Sequence, residues 1–370
     1  MIMVNNSGLD RRVKKKHLKQ LADFRTQTLR PSPRLHTLFF ELTTKCNEHC
    51  LHCGSNCGDA PETGALTTGE YIQFIDKVYD SFRDEKHGLP GIAITGGEPL
   101  LREDFFEITA HLKEKGFGWG MTSNGTLITA DIAKKLADTG MRTISVSLDG
   151  LKEDHEWFRC SPGSYEKTMT GIKNLLDTGS FDHVQITTVV NHRNISSLYD
   201  MYEEFKKTGV RSWRVINIEP IGRARNNPEL QLTKEEYRQL FDFIAKNRFR
   251  DKMEVCYGCS HFLGIDYERE VRRWYFLCNA GVYTASIMYN GDITSCLDIE
   301  RRPELVQGNI RRDDFKEVWK NGFKIYRTDY RKAGKCAKCK YYKYCAGDAF
   351  HTWNFDEMQP NLCMRGILFE

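Results

Sequence analysis

Six short apolar runs, each followed by an amphipathic stretch, lie between residues 36 and 218, and this alternation limits the fold more than any other feature. The runs occupy 37–42, 91–95, 118–122, 143–148, 184–190 and 213–218. They are apolar rather than alternating, as strands covered on both faces are. Between them the pattern changes to a helical period. In 67–82, Tyr71, Phe74, Ile75, Val78 and Phe82 share one face, and Thr67-x-x-Glu70 reads as a capping box at its start. Further helices are expected near 103–115, 129–139, 164–178 and 195–208. Strand–helix alternation builds a parallel α/β sheet, either open and doubly wound or curled into a barrel. In both, ligands bind at the carboxyl ends of the strands. Four polar or glycine-rich clusters fall there: residues 46–53, Gly96-Gly97-Glu98-Pro99, Ser123-Asn124-Gly125 and Asp149-Gly150.

The chain has 370 residues, enough for two or three domains and for a core that needs no disulfide staples. Its 13 cysteines are therefore unusual. No apolar run approaches the roughly 18 residues of a membrane span, and the N-terminus has no signal-peptide core. The expected location is cytoplasmic, where clustered cysteines bind metal or do redox chemistry. The net charge of +4 does not point to nucleic acid. Residues 1–35 form a basic extension, with Val13, Leu18, Leu21 and Phe24 on one helical face and the basic run 11–19 solvated. Residues 36–225 carry the strand–helix units. A helical linker spans 226–250, including a helix at 233–247, and a cysteine- and aromatic-rich tail spans 251–370.

Cys46, Cys50 and Cys53 form a C-x3-C-x2-C triplet after the first strand. Three thiolates on one loop hold three irons of a cubane and leave the fourth open, whereas a structural cluster takes four. A zinc site, which favours four ligands, is the rival reading. With Gly96-Gly97-Glu98-Pro99 after the second strand, the triplet resembles the radical SAM superfamily. That resemblance implies a partial (β/α)6 TIM-type barrel. It implies a [4Fe-4S] cluster whose open iron binds S-adenosylmethionine. One electron from the cluster then yields methionine and a 5′-deoxyadenosyl radical that abstracts hydrogen from substrate. It implies a flavodoxin- or ferredoxin-type electron donor. It places Gly96 and Gly97 close to the methionyl amine and Glu98 beside it. Asn124, Ser147 and Arg159 become candidates for ribose or carboxylate contacts, and His52 packs on the cluster.

The tail resembles the SPASM extension of this superfamily, a small α+β iron–sulfur domain covering about 255–365. Cys278-x12-Gly291-x4-Cys296 is followed by Cys336-x2-Cys339-x5-Cys345 and a distant Cys363. The resemblance implies two auxiliary [4Fe-4S] clusters. Cys336, Cys339, Cys345 and Cys363 would hold one. The family pattern adds a cysteine where this chain has Ala349, so Cys256 and Cys259 are assigned with Cys278 and Cys296 to the other. Cys57 and Cys160 are left over near the rim. They either fill a pocket wall or exchange a proton with substrate. Asp298 lies one residue beyond the position of the base in anaerobic sulfatase maturases.

SPASM-bearing enzymes mostly modify peptides or proteins, so a peptide or protein is the leading substrate. The aromatics Tyr326, Tyr330, Tyr341, Tyr342, Tyr344, Trp353 and Phe355 either line a peptide groove or shield a cluster. With about 35 residues before the first strand, a leader would be read by a separate protein or by the enzyme body. The alternatives are a small-molecule or cofactor precursor such as a tetrapyrrole, and a non-catalytic iron–sulfur or zinc scaffold.

Overall fold

The computed structural model describes residues 9–258 and 261–370. Strands form where the apolar runs predict them: β1 (Thr37–Glu41), β2 (Gly91–Thr95), β3 (Trp119–Ser123), β4 (Met141–Ser147), β5 (His183–Val190) and β6 (Ser212–Asn217). An N-terminal helix α1 (Arg11–Phe24) precedes them. The connections carry α2 (Thr68–Phe82), α3 (Phe105–Glu114), α4 (Ala130–Asp138), α5 (Lys152–Arg159), α6 (Ser164–Thr178) and α7 (Leu198–Lys207), and α8 (Lys234–Asn247) follows β6. The capping box of α2 is made as read: Thr67 Oγ1 accepts from the Glu70 amide, and the Glu70 carboxylate accepts from the Thr67 amide. The short helix α5 escaped the sequence reading because acidic and basic residues dominate it.

The tail does not stand apart from this sheet. It supplies β7 (Glu254–Tyr257), β8 (Thr284–Ile287), β9 (Asp292–Thr294) and β10 (Gly308–Asn309), and short helices α9 (Gly264–Tyr267), α10 (Phe315–Asn321) and α11 (Tyr342–Cys345). The strand order is β10-β9-β8-β1-β2-β3-β4-β5-β6-β7. β7 pairs in parallel with β6. β8 pairs in parallel with β1, Thr37 opposite Thr284. The result is an α/β partial barrel with an iron–sulfur-type tail.

One face of the sheet is covered by helices. Phe40 packs on Tyr71 and Phe74, with ring centroids 5.9 and 6.0 Å apart, and Trp213 packs on Phe205 and Phe243. Burying each such ring contributes about 2 kcal/mol. Because side chains alternate along a strand, the residues between them face the lumen. Arg214 of β6 does so, reaching Thr187 of β5 and Ser145 of β4.

The extension docks on the tail. Leu18 is buried, and Arg25 donates to the carbonyls of Lys343 and Tyr344 at 2.7 and 2.9 Å. Arg11, Arg12, Lys15, Lys16 and Lys19 are exposed, but Val13 is exposed too, against expectation. Lys14 takes the buried place, its stem packed and its ammonium 2.6 Å from Glu270.

Candidate functional site

The cysteine loop is built from backbone contacts at the carboxyl rim. The Gly97 amide donates to the Thr43 carbonyl at 2.8 Å, and the Glu98 amide donates to the Lys45 carbonyl at 2.9 Å. A Cβ on Gly96 would lie 2.2 Å from Thr43 O, and one on Gly97 2.0 Å from Lys45 O. The side these glycines leave bare is thus filled by the strand that delivers Cys46. A second clamp comes from the segment after β6. The Arg223 guanidinium donates to the carbonyls of Cys50 and Cys57, and its amide donates to the Cys53 carbonyl at 3.0 Å. Gly222, at φ +51°, touches the Cys53 carbonyl so closely that no side chain fits there.

The three thiols sit among charges. Burial pushes Cys46 up to about 11 and Cys50 up to about 12. Cys53 is drawn down to about 5, chiefly by a hydrogen bond from the Cys57 thiol. Cys57 is buried and its own thiol is pushed far up by that contact. Arg159, at the end of α5, is buried between two carboxylates: Nε donates to Asp149 at 2.7 Å and Nη1 to Glu48 at 3.1 Å. Among the described residues, Glu48 Oε1 and His52 Nδ1 have no hydrogen-bond partner. His52 stacks on Phe158 at 4.1 Å and burial lowers it to about 4, so its ring is neutral. Glu98 is fully buried and burial raises it to about 7, although Ser123 Oγ and the amides of Asn124 and Leu100 donate to it. Asn124 Nδ2 donates to Asn47 of the cysteine loop at 2.8 Å, and Ser147 ends β4, half-buried.

The tail brings Cys336, Cys339, Cys345 and Cys363 to one pocket, also lined by Tyr342 and Asp348. Burial raises Cys336 to about 11, with Cys363 and Cys339 next in effect. His261 links this pocket to the barrel. It bonds Asp348 at 2.8 Å and Glu219, beyond β6, at 2.6 Å. Burial alone would lower its pKa, but the two carboxylates outweigh that and raise it to about 10. Ala349, where a cysteine was expected, is buried in an apolar cluster with Phe262 and Tyr344.

The other tail assignment is not assembled in the same way. Cys278 and Cys296 flank β8 and β9, and Cys296 contacts Asp298 at 3.9 Å. Cys256 lies on β7, with β1–β6 between it and β8, among Glu254, Arg214, Arg273 and Arg248. Cys259 lies outside the described residues. Asp298 is exposed and does not line the cavity of about 450 Å³ formed by Cys296, Leu297, Ile299, Arg301 and Tyr326. Cys160 is the exposed C-cap of α5 at φ +49°. Of the tail aromatics, Tyr326, Tyr342, Tyr344 and Trp353 are buried, whereas Tyr330, Tyr341 and Phe355 are half-buried.

The donor sets fit iron–sulfur clusters. Each groups three or four thiols, and a thiol ionises when a metal replaces its proton. Among the described residues no three His, Cys, Asp or Glu side chains converge on one point, as a single ion requires. A four-iron cluster instead takes each thiolate on a separate iron. Glu48 Oε1, an orphaned acceptor beside the loop, suits the ammonium of an amino-acid ligand. Sequence reasoning put Asp149 on the rim without a role and missed Glu48 and Arg223 as parts of the site. The glycine preceding Arg223 was the one local sign.

A partial barrel with a three-thiol loop on its rim and a four-thiol pocket in its tail defines a class of iron–sulfur enzyme. The model of the Radical SAM superfamily matches residues 40–205, and that of the SPASM iron-sulfur cluster-binding domain matches 278–340. The chain is 31% identical over 333 residues to the AdoMet-dependent heme synthase of Methanosarcina barkeri, covering 85% of this chain and 91% of that protein. It is 29% identical to the same-named enzyme of Nitratidesulfovibrio vulgaris (87% and 89%). It is also 29% identical to the mycofactocin maturase MftC of Mycobacterium tuberculosis (84% and 77%). Streptococcus suis SuiB bound to S-adenosylmethionine has the same fold, with a TM-score of 0.70 at 17% identity (96% and 80%). The chain belongs to the radical SAM superfamily and carries a SPASM tail; it is a radical SAM enzyme.

Proposed function

We propose that this enzyme abstracts hydrogen from a carboxylate-bearing cofactor precursor of the tetrapyrrole class, seated in the barrel lumen. The observation that carries this reading is Arg214. Its guanidinium touches only hydroxyls, Thr187 Oγ1 at 3.2 Å and Ser145 Oγ at 3.4 Å. Among the described residues it has no carboxylate partner, whereas Arg248 and Arg273 both pair with Glu254. A half-buried guanidinium without an anion is a seat for one. Tetrapyrrole propionates supply it, and the match to heme synthases along nearly the whole chain supports the same class.

When bound, an iron–sulfur cluster and S-adenosylmethionine supply a 5′-deoxyadenosyl radical. The chain does the rest. Cys46, Cys50 and Cys53 hold the cluster, and Arg223 and Gly97 fix their loop. Glu98 and Glu48 are the buried carboxylates available to the ligand ammonium, and Arg159 pairs with Glu48 and Asp149. The tail thiols Cys336, Cys339, Cys345 and Cys363 hold an auxiliary cluster.

The alternative with support is a peptide substrate, favoured by the likeness to MftC. Anaerobic protein with reductant and S-adenosylmethionine is incubated with iron porphyrins bearing two or four propionates, or with peptides. Under this reading 5′-deoxyadenosine formation rises with a porphyrin, whose mass changes, and Arg214→Gln raises KM. Stimulation by a peptide alone refutes it.

A further inference from the structure

The helix α1 and the segment between β7 and β8 share one surface. Val13 of α1 is 36% exposed, although Lys14 beside it is buried. One turn on, His17 Nδ1 lies 3.1 Å from the Tyr275 hydroxyl, so Val13 borders the segment that carries Trp274. Trp274 is 61% exposed. Its ring lies 5.3 Å from the Arg269 guanidinium, and the Arg269 carbonyl accepts from Arg248 at 2.6 Å. Arg248 in turn covers the ring of Phe249, which is 46% exposed. A single exposed ring is ordinary, but three apolar side chains joined by such contacts mark an interaction site. Their surroundings are basic. Arg12, Lys15, Lys16, Lys19, Arg250 and Lys252 are exposed, and among the described residues none of them pairs with a carboxylate. The nearby carboxylates are engaged with other cations: Asp266 with Arg11, Glu270 with Lys14, Glu254 with Arg248 and Arg273, and Asp251 with Lys206. Asp10 caps α1.

We infer that this surface docks the enzyme on an anionic phospholipid bilayer. Two features together choose that partner. Unpaired lysines and arginines are drawn to acidic headgroups, each with a small favourable increment. Tryptophan settles at the boundary between headgroup and acyl chain, where Val13 and Phe249 follow it out of water. Nucleic-acid phosphates meet the same cations but leave Val13 and Phe249 solvated. The contact is peripheral, since no helix among the described residues is long and apolar enough to cross a membrane. Glu254, the first residue of β7, pairs with Arg248 and Arg273, the neighbours of Phe249 and Trp274. The surface therefore lies toward the amino ends of the strands, and the cysteine rim at their carboxyl ends stays open. Docking holds whichever substrate the lumen takes; an amphipathic one that partitions into lipid gains a short route to the barrel.

The test uses the anaerobic holoenzyme and vesicles of equal parts phosphatidylglycerol and phosphatidylcholine. A photoreactive phosphatidylglycerol in the vesicles labels the residues it touches, and mass spectrometry maps them. Labels are expected in 11–19, 249–252 and 269–274. Partition constants are then measured by co-sedimentation at low and high salt. Arg12→Glu/Lys16→Glu/Lys252→Glu and Val13→Ser/Phe249→Ser/Trp274→Ser should each bind at least ~10-fold more weakly at low salt. A control carries the same charge change on outer helices, Lys134→Glu/Lys167→Glu/Lys234→Glu, and should shift less than about threefold. Vesicles of phosphatidylcholine alone should bind at least ~10-fold more weakly than the mixed ones. Labels mapping elsewhere, equal losses in the control, equal binding to phosphatidylcholine, or no binding at low salt overturn the docking surface. A vesicle-free dimer that Trp274→Ser dissociates also overturns it and gives the patch to a second copy of this chain. The wild-type labels stand whether or not a variant folds.

Discussion

Replacing Gly97 by Ala tests how the cysteine loop is held. Its Cβ would sit 2.0 Å from Lys45 O, 2.6 Å from Lys45 C and 3.0 Å from Cys46 Cβ, where ordinary contact begins near 3.4 Å. The neighbour is backbone, so no side chain can rotate away. Relief requires β2's end and the Thr43–Cys46 segment to separate by more than an ångström. That breaks the Gly97 amide to Thr43 carbonyl bond and the Glu98 amide to Lys45 carbonyl bond. Two buried backbone bonds are together worth about 2 kcal/mol net, and forced overpacking adds about 1–3. The expected loss is about 3–5 kcal/mol. With an unfolding entropy of ~2.1 cal/mol/K per residue over 370 residues, Tm falls by roughly 4–6 °C. Scanning fluorimetry measures this, and iron per chain reports on the loop, which should hold less metal because Cys46 moves with it. A Gly97→Ala protein with wild-type Tm and full iron would show that the contact is not tight and that the reasoning is wrong.

The same logic has an inverse at Gly69, which lies within α2 with nothing near the position of a Cβ. Gly69→Ala should stabilise by about 0.5–1 kcal/mol in thermal unfolding. Glu98 gives a pH dependence. Its folded pKa, about 7, lies above the ordinary 4.5. The stability linked to it is therefore fully present below pH 4.5 and is lost as pH rises through 7. The loss is at most about 3 kcal/mol. Urea midpoints of cluster-free protein from pH 5 to 8 should slope downward, and Glu98→Gln should flatten the slope. Cys160, exposed at φ +49°, should react first with iodoacetamide in the holoenzyme. Cys160→Gly should keep full iron and gain up to ~1 kcal/mol, because glycine adopts that backbone without strain. Loss of iron would place Cys160 at a cluster.

The barrel was legible because apolar strand runs alternate with amphipathic helices, although the strands are fully buried on the helix-covered face and only partly on the lumen face. The thiol triplet and Gly96-Gly97-Glu98 were legible because close spacing puts them on one loop. What escaped depends on contacts between distant segments. Nothing local marks Glu48 and Asp149 as the two carboxylates around Arg159, or Arg223 as the clamp on Cys50 and Cys57. Arg214 looks like any strand residue until Trp213 fixes the outward face and leaves it in the lumen. Val13 and Lys14 exchanged expected places because a lysine stem packs as well as a valine when Glu270 takes its charge. The tail read as a separate unit because cysteine and aromatic content changes sharply there, while strand pairing with β1 and β6 leaves no such sign.

That pairing sets an order of events as the chain leaves the ribosome. β1 appears early, yet its outer edge finds β8 only after Thr284–Ile287 has been made. At roughly 5–20 residues per second, the interval is on the order of tens of seconds. Throughout it, the strand that delivers Cys46 is a bare edge able to pair with a neighbouring chain. Iron inserted during that interval would enter an unfinished rim, so assembly of this enzyme favours loading the cysteine loop after the tail has closed the sheet.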